Sequence, residues 1–90
     1  MKKLNTDKNI LQQITKNEGK LCRLDSMQAY INKIDNVCNI YSYDTKIGQY
    51  DIKTNILYLT TKKYSITTTK QQNKIKNNFI KYQNAKLEAL

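Results

Sequence analysis

The chain has no histidine, no proline and no tryptophan, and only two glycines, two cysteines and one arginine among its 90 residues. Each shortage removes a class of chemistry. Without histidine there is no imidazole to act as general base or to complete a zinc site, and Cys22 and Cys38 lack CxxC spacing. Two glycines cannot build a phosphate-cradling loop of the GxxxxGK type. The acids Asp7, Glu18, Asp25, Asp35, Asp44, Asp51 and Glu88 are scattered; Asp25 reads as a helix cap and Asp51 as a turn former. These gaps predict a protein that is not an enzyme and uses no cofactor and no metal.

No run of 18 apolar residues exists, so no transmembrane helix and no membrane partner are expected. Met1-Lys2-Lys3 leads into Leu4-Asn5-Thr6-Asp7, which does not read as a secretory signal. Cys22 and Cys38 lie among apolar neighbours, as buried reduced thiols do, and a cytoplasmic location follows as an expectation.

What the chain does have is positive charge and polar amides. Its formal net charge is +9, and the distribution is uneven. Residues 1–45 hold seven Lys or Arg against five acids, a balance of +2, whereas residues 46–90 hold nine Lys against two acids, a balance of +7. From Thr60 to Leu87 there are seven lysines and no acid. Such asymmetry points to a polyanionic partner or an acidic protein face; the competing reading is a set of lysines kept for solubility. The polar excess is Asn, Gln, Thr and Lys rather than the Pro, Glu and Ser of disordered chains, and seven tyrosines with many Ile and Leu supply a core. Ninety residues suit one small domain.

Periodicity predicts the elements. Ile10, Leu11 and Ile14 stand at helical spacing after Asn5-Thr6-Asp7, and Asn17-Glu18-Gly19 supplies a stop, which predicts a helix near 7–17. Met27, Tyr30, Ile31, Ile34 and Cys38 recur at i, i+3, i+4, i+7 and i+11 after Asp25-Ser26, which predicts a second helix. Tyr41, Tyr43, Thr45 and Ile47 alternate with polar residues as a strand does, with a bulge expected at Gly48. Asp51 through Asn55 reads as a turn and Ile56 through Thr60 as the returning strand. Lys62 through Ile66 suggests a further extended stretch. Thr68 with Gln71, or Thr69 with Gln72, predicts a capping box opening a third helix from about 69 to the mid-80s, with Ile75, Phe79 and Tyr82 inward. The fold class predicted is α+β: two N-terminal helices, an antiparallel β-hairpin or three-stranded sheet, and a C-terminal basic helix.

That last helix carries the functional expectation. Lys70, Lys74, Asn77, Asn78 and Lys81 would present one polar face, with Lys62 and Lys63 at its entrance and Thr68 in the cap region able to hold a phosphate. A single arginine argues against base-specific readout, which favours bidentate guanidinium contacts, and for backbone contact. The partners predicted are a nucleic-acid backbone, or a host protein or nucleoprotein gripped through surface tyrosines among Tyr41, Tyr43, Tyr50, Tyr58 and Tyr64.

Over residues 41–75 the chain resembles a small domain of bacterial phage and plasmid proteins. The resemblance rests on Tyr43-Asp44-Thr45-Lys46-Ile47, on Leu57-Tyr58-Leu59, and above all on Lys63-Tyr64-Ser65-Ile66-Thr67-Thr68-Thr69-Lys70-Gln71-Gln72-Asn73. It implies an accessory protein of a mobile element and transfers no catalytic or binding residue. Within that setting the expected functions are nucleic-acid binding or inhibition of a host defence nuclease, as an anti-CRISPR protein inhibits a CRISPR effector.

Overall fold

Period-two alternation governs more of the chain than helical spacing does. The computed structural model describes residues 1–25, 27–62 and 65–90. In chain order the elements are β1 (Lys3–Leu4), α1 (Ile10–Thr15), β2 (Cys22–Leu24), β3 (Ala29–Ile34), β4 (Val37–Ser42), β5 (Thr45–Asp51), β6 (Ile56–Leu59), α2 (Ile66–Gln83) and β7 (Lys86–Ala89). The strands form one sheet whose spatial order follows the sequence from β1 to β7. Strands β2 to β6 pair antiparallel, while β1 with β2 and β6 with β7 pair parallel. A parallel neighbour needs a crossover, and each of the two helices supplies one. Neither helix among the described residues is long and apolar enough to cross a membrane.

Both helices lie on the same face. Ile10 and Ile14 of α1 and Ile75 and Phe79 of α2 share one core with Leu4, Cys22, Leu24, Ile31, Cys38, Ile40, Ile47 and Leu57. Tyr50 joins them, its ring centroid 4.6 Å from that of Phe79. Strand β4 shows the alternation: Cys38, Ile40 and Ser42 are buried, while Val37, Asn39 and Tyr41 point to the other face.

The predicted architecture is therefore corrected: one short N-terminal helix precedes a seven-stranded mixed sheet, not two helices and a hairpin. The helix predicted through Met27 to Cys38 is a β-hairpin instead. Asp35 sits at its turn with φ 55°, in the left-handed region that ends a helix. The sheet buries Ala29, Ile31, Cys38 and Ile40 completely and leaves Ile34 52% exposed, whereas a helix would have turned Tyr30 and Ile34 inward. Six cross-strand pairs, from Ala29 opposite Ser42 to Ile34 opposite Val37, then hold the register.

The strand predicted over 41–47 is also divided. Tyr43 and Asp44 make a two-residue turn between Ser42 and Thr45, with Tyr43 at φ 56°, a conformation that is strained for a bulky side chain. The bulge expected at Gly48 exists, as a register shift between Ile40 and Tyr41 with Ile47 as the extra residue. Gly48 is needed there: a Cβ would stand 2.8 Å from Leu59 Cδ2 and 2.9 Å from the Tyr58 carbonyl oxygen. The turn before β6 and the strand at Ile56–Leu59 lie where predicted. Helix α2 starts earlier than predicted, capped by Ser65, whose hydroxyl accepts from Thr68 N at 3.1 Å. It ends at Asn84, at φ 53°. The extended stretch predicted at Lys62–Ile66 ends in this cap and first helical residue, and Lys63 and Tyr64 lie outside the described residues.

Candidate functional site

The inner stripe of α2 is Thr68, Gln71, Ile75, Asn78 and Phe79, all buried. With those positions turned to the sheet, the helical repeat places Lys70, Lys74, Asn77 and Lys81 along one flank, at i, i+4, i+7 and i+11. All four are exposed, and the flank runs for about 16 Å at 1.5 Å per residue. Helix α2 holds four lysines and no acid.

Two hollows follow this flank. One, of about 310 Å³, lies between α2 and the Thr6–Asp7 segment and is lined by Lys74, Asn77, Asn78, Lys81 and Tyr82. The other, of about 410 Å³, lies beside Met27 and Gln28 and is lined by Thr67, Lys70, Gln71 and Lys74. Lys74 thus stands at the junction of the two. Its ammonium is 3.8 Å from the Asp25 carboxylate, a partly exposed pair that contributes little to stability. Burial opposes ionisation of Asp25, but hydrogen bonds from the Thr6 hydroxyl and backbone N–H, with the Lys74 charge, outweigh it and hold the carboxyl below its ordinary range. Asp25 is therefore an anion within the flank, and it offsets part of the Lys74 charge. Lys81 stands 5.2 Å from the ring centroid of Tyr82, whose hydroxyl donates to the Asp7 carbonyl at 2.8 Å.

Not every residue predicted for this face lies on it. Lys70, Lys74, Asn77 and Lys81 do. Lys62 is exposed but precedes α2 in the segment after β6, where its N–H donates to Thr60 Oγ1. Lys63 lies outside the described residues. Thr68 is only 4% exposed and meets Ser65 and Ser42 through its hydroxyl, so it braces the helix start and lies off the exposed flank. Asn78 is buried as well: its Oδ1 accepts from Ile10 N, and its Nδ2 donates to the Thr6 and Lys8 carbonyls at 2.8 and 2.7 Å. It fastens the N-terminal segment to α2. The wheel separates Asn78 from Asn77 by 100°, and only the tertiary contact decides which of the two is inside.

The helix-free face of the sheet was missed, because residues 27–38 were predicted as helix. Strand register puts Lys3, Arg23, Tyr30, Tyr41 and Lys46 in one cross-strand row and Asn32, Asn39, Gln49 and Tyr58 in the next. Of the tyrosines predicted as surface anchors, Tyr41 and Tyr58 are half-buried on this face, Tyr43 is 61% exposed, and Tyr50 is in the core. Tyr64 lies outside the described residues. The signal that could have revealed this face is Asp35-Asn36 between two segments that each alternate. Cys22 and Cys38 are buried free thiols, and burial pushes the Cys38 thiol up to about 12. Among the described residues no group of His, Cys, Asp or Glu is placed to hold a metal ion.

Comparison with known protein families, with curated proteins and with solved structures finds no significant match.

Proposed function

We propose that the chain is a non-enzymatic accessory protein of a phage or plasmid that binds the phosphate backbone of nucleic acid through the lysine flank of α2. The observation that carries this reading is the exposed row Lys70, Lys74, Asn77 and Lys81 on a helix without a single acid. Lysines four and seven residues apart stand about 6 and 10 Å apart along the axis, a spacing that lets flexible ammonium groups meet successive phosphates. The hollows beside Lys74 and Lys81 give a backbone somewhere to seat, and Asn77 adds an amide. A row built on lysine predicts binding with little sequence preference.

Gel shifts with random duplex, single-stranded DNA and RNA test it. The triple variant Lys70→Gln, Lys74→Gln, Lys81→Gln should bind duplex more weakly and flatten the salt dependence by up to about 0.9 per lost phosphate contact. Absence of any shift at low salt and micromolar protein would refute the reading.

A second reading is inhibition of a host defence nuclease, of the anti-CRISPR kind, by protein docking. It is favoured by the hollow that Met1, Leu21, Tyr30 and Tyr43 line with Gln28 and Asp44, where Met1, Leu21 and Tyr43 are 77%, 41% and 61% exposed. Here Tyr43→Ala and Leu21→Ala should abolish tight binding to one host protein at moderate salt, while the lysine triple variant retains it.

A further inference from the structure

We infer that the helix-free face of the sheet is a second nucleic-acid surface, one that takes an unpaired strand by stacking its bases on Tyr30 and Tyr41. Both helices cover the opposite face, and among the described residues no element packs over this one. Tyr30 and Tyr41 are direct cross-strand partners on β3 and β4, so their Cβ atoms stand about 5 Å apart on the same face. Cations continue the row on both sides: Arg23 then Lys3 beyond Tyr30, and Lys46 beyond Tyr41. No acid stands in that row. It crosses five strands, about 19 Å at 4.8 Å each, which is room for roughly four to six nucleotides rising about 3.4 Å apiece.

Neighbouring side chains suit the same occupant. The Tyr30 hydroxyl donates to Gln28 Oε1 at 2.6 Å, and Arg23 Nε donates to the Met27 carbonyl at 2.8 Å, which anchors one end of the row. The bulge at Ile47 brings Lys46 and Gln49 to the same face, where Lys46 Nζ donates to Gln49 Oε1 at 2.7 Å. One row on, Asn39 Nδ2 donates to Asn32 Oδ1 at 3.1 Å, which leaves the Asn32 amino group and the Asn39 carbonyl oxygen for a base edge. Three acids border this face outside the row: Asp44 in the turn before β5, lining a hollow with Tyr30; Asp51 at the end of β5, already accepting from the Lys53 and Thr54 N–H groups; and Glu88 on β7. The bound strand follows the acid-free row from Lys3 to Lys46 across β1 to β5. Stacked aromatics with flanking cations recognise any base, and this chemistry is common to single-stranded DNA and RNA.

The inference does not depend on the α2 reading, and one experiment separates them. With no tryptophan in the chain, emission comes from its seven tyrosines, and the part of the quenching lost in the Tyr30 and Tyr41 variants reports stacking. Fluorescein-labelled dT12 and rU12 and a 12-base-pair duplex are titrated into the full chain, reading anisotropy and tyrosine quenching. Either single strand should quench, and the ratio of the two affinities tells which sugar is preferred. Tyr30→Leu and Tyr41→Leu should each weaken single-strand binding roughly 5- to 150-fold, Tyr30→Phe and Tyr41→Phe should restore it, and circular dichroism should show all four folded. Lys46→Gln should lower the single-strand salt slope by about 0.7. The α2 triple variant should bind duplex more weakly and keep the single-strand quenching. The inference fails if neither strand binds, which would leave the face to a protein partner. It fails equally if the Leu variants bind as the native chain does, or if the α2 triple variant alone removes single-strand binding.

Discussion

Replacing Asn78 with alanine removes three hydrogen bonds at once, those to Ile10 N and to the Thr6 and Lys8 carbonyls. Asn78 is 5% exposed, so water does not replace them in place. The Ile10 N–H is the costly loss: it is the first N–H of α1 and is buried, and an orphaned buried donor costs about 1–3 kcal/mol. Two carbonyls losing a donor raise the total to about 2–4 kcal/mol, a large share of the 5–15 kcal/mol that holds a small domain together. For a domain of this size that lowers Tm by at least about 8 °C. Asn78→Leu refills the volume without the donors and should be no better than alanine by more than about 1 kcal/mol. Asn77→Ala, one residue away and exposed, should stay within about 0.5 kcal/mol of the native chain. Urea and thermal melts followed by circular dichroism measure all three. Asn78 variants that melt within 2 °C or so of the native protein would refute the placement of the N-terminal segment against α2.

Gly48→Ala should cost about 1–3 kcal/mol in the same melts, because its new methyl meets the Tyr58 carbonyl oxygen at 2.9 Å and backbone yields less than side chain. Cys38, its thiol pushed up to about 12 by burial, should resist iodoacetamide at pH 8 until the protein unfolds. The folded thiol keeps its proton where the unfolded one loses it, so this contribution to stability is complete below about pH 9 and lost as pH rises toward 12; a Cys38→Ala variant should show a shallower alkaline decline. Asp25→Asn keeps a residue suited to the backbone at φ 51° and removes the charge facing Lys74. On the α2 reading it should strengthen duplex binding a few-fold at low salt, and a weaker complex would show that Asp25 acts chiefly by holding Thr6.

Some of this was legible in the residues. The stretch after Thr67 reads as a helix because its apolar positions recur at helical spacing and it contains no proline or glycine, and α2 carries Ile75 and Phe79 inward as that spacing demands. The strand at Ile56–Leu59 and the turn before it follow from turn formers beside β-favouring residues. The lysine flank is legible for the same reason as the helix, since once the inward stripe is known the flank is arithmetic. The stretch from Met27 to Cys38 is different. Its apolar residues satisfy period 3.6 and, with Ala29 and Ile40 included, period two, and no local rule chooses between them.

Local chemistry alone thus determined the positive charge of the C-terminal half, the C-terminal helix, the strand at Ile56–Leu59 with the turn before it, and the lack of histidine for common acid–base or metal chemistry. Tertiary structure decided the rest. Ile31 lies in the sheet because Cys22 and Ile40 stand opposite it on either side, and Ala29 because Ser42 does, pairings between strands that periodicity along the chain does not specify. The parallel edges require β1 and β7 to return beside β2 and β6 after a crossover. Burial of Asn78 beside exposed Asn77 depends on an N-terminal segment some 70 residues distant. The tyrosine row across β3 and β4 exists only when the register is set, because period-two alternation assigns a face to each side chain and only pairing brings two faces together.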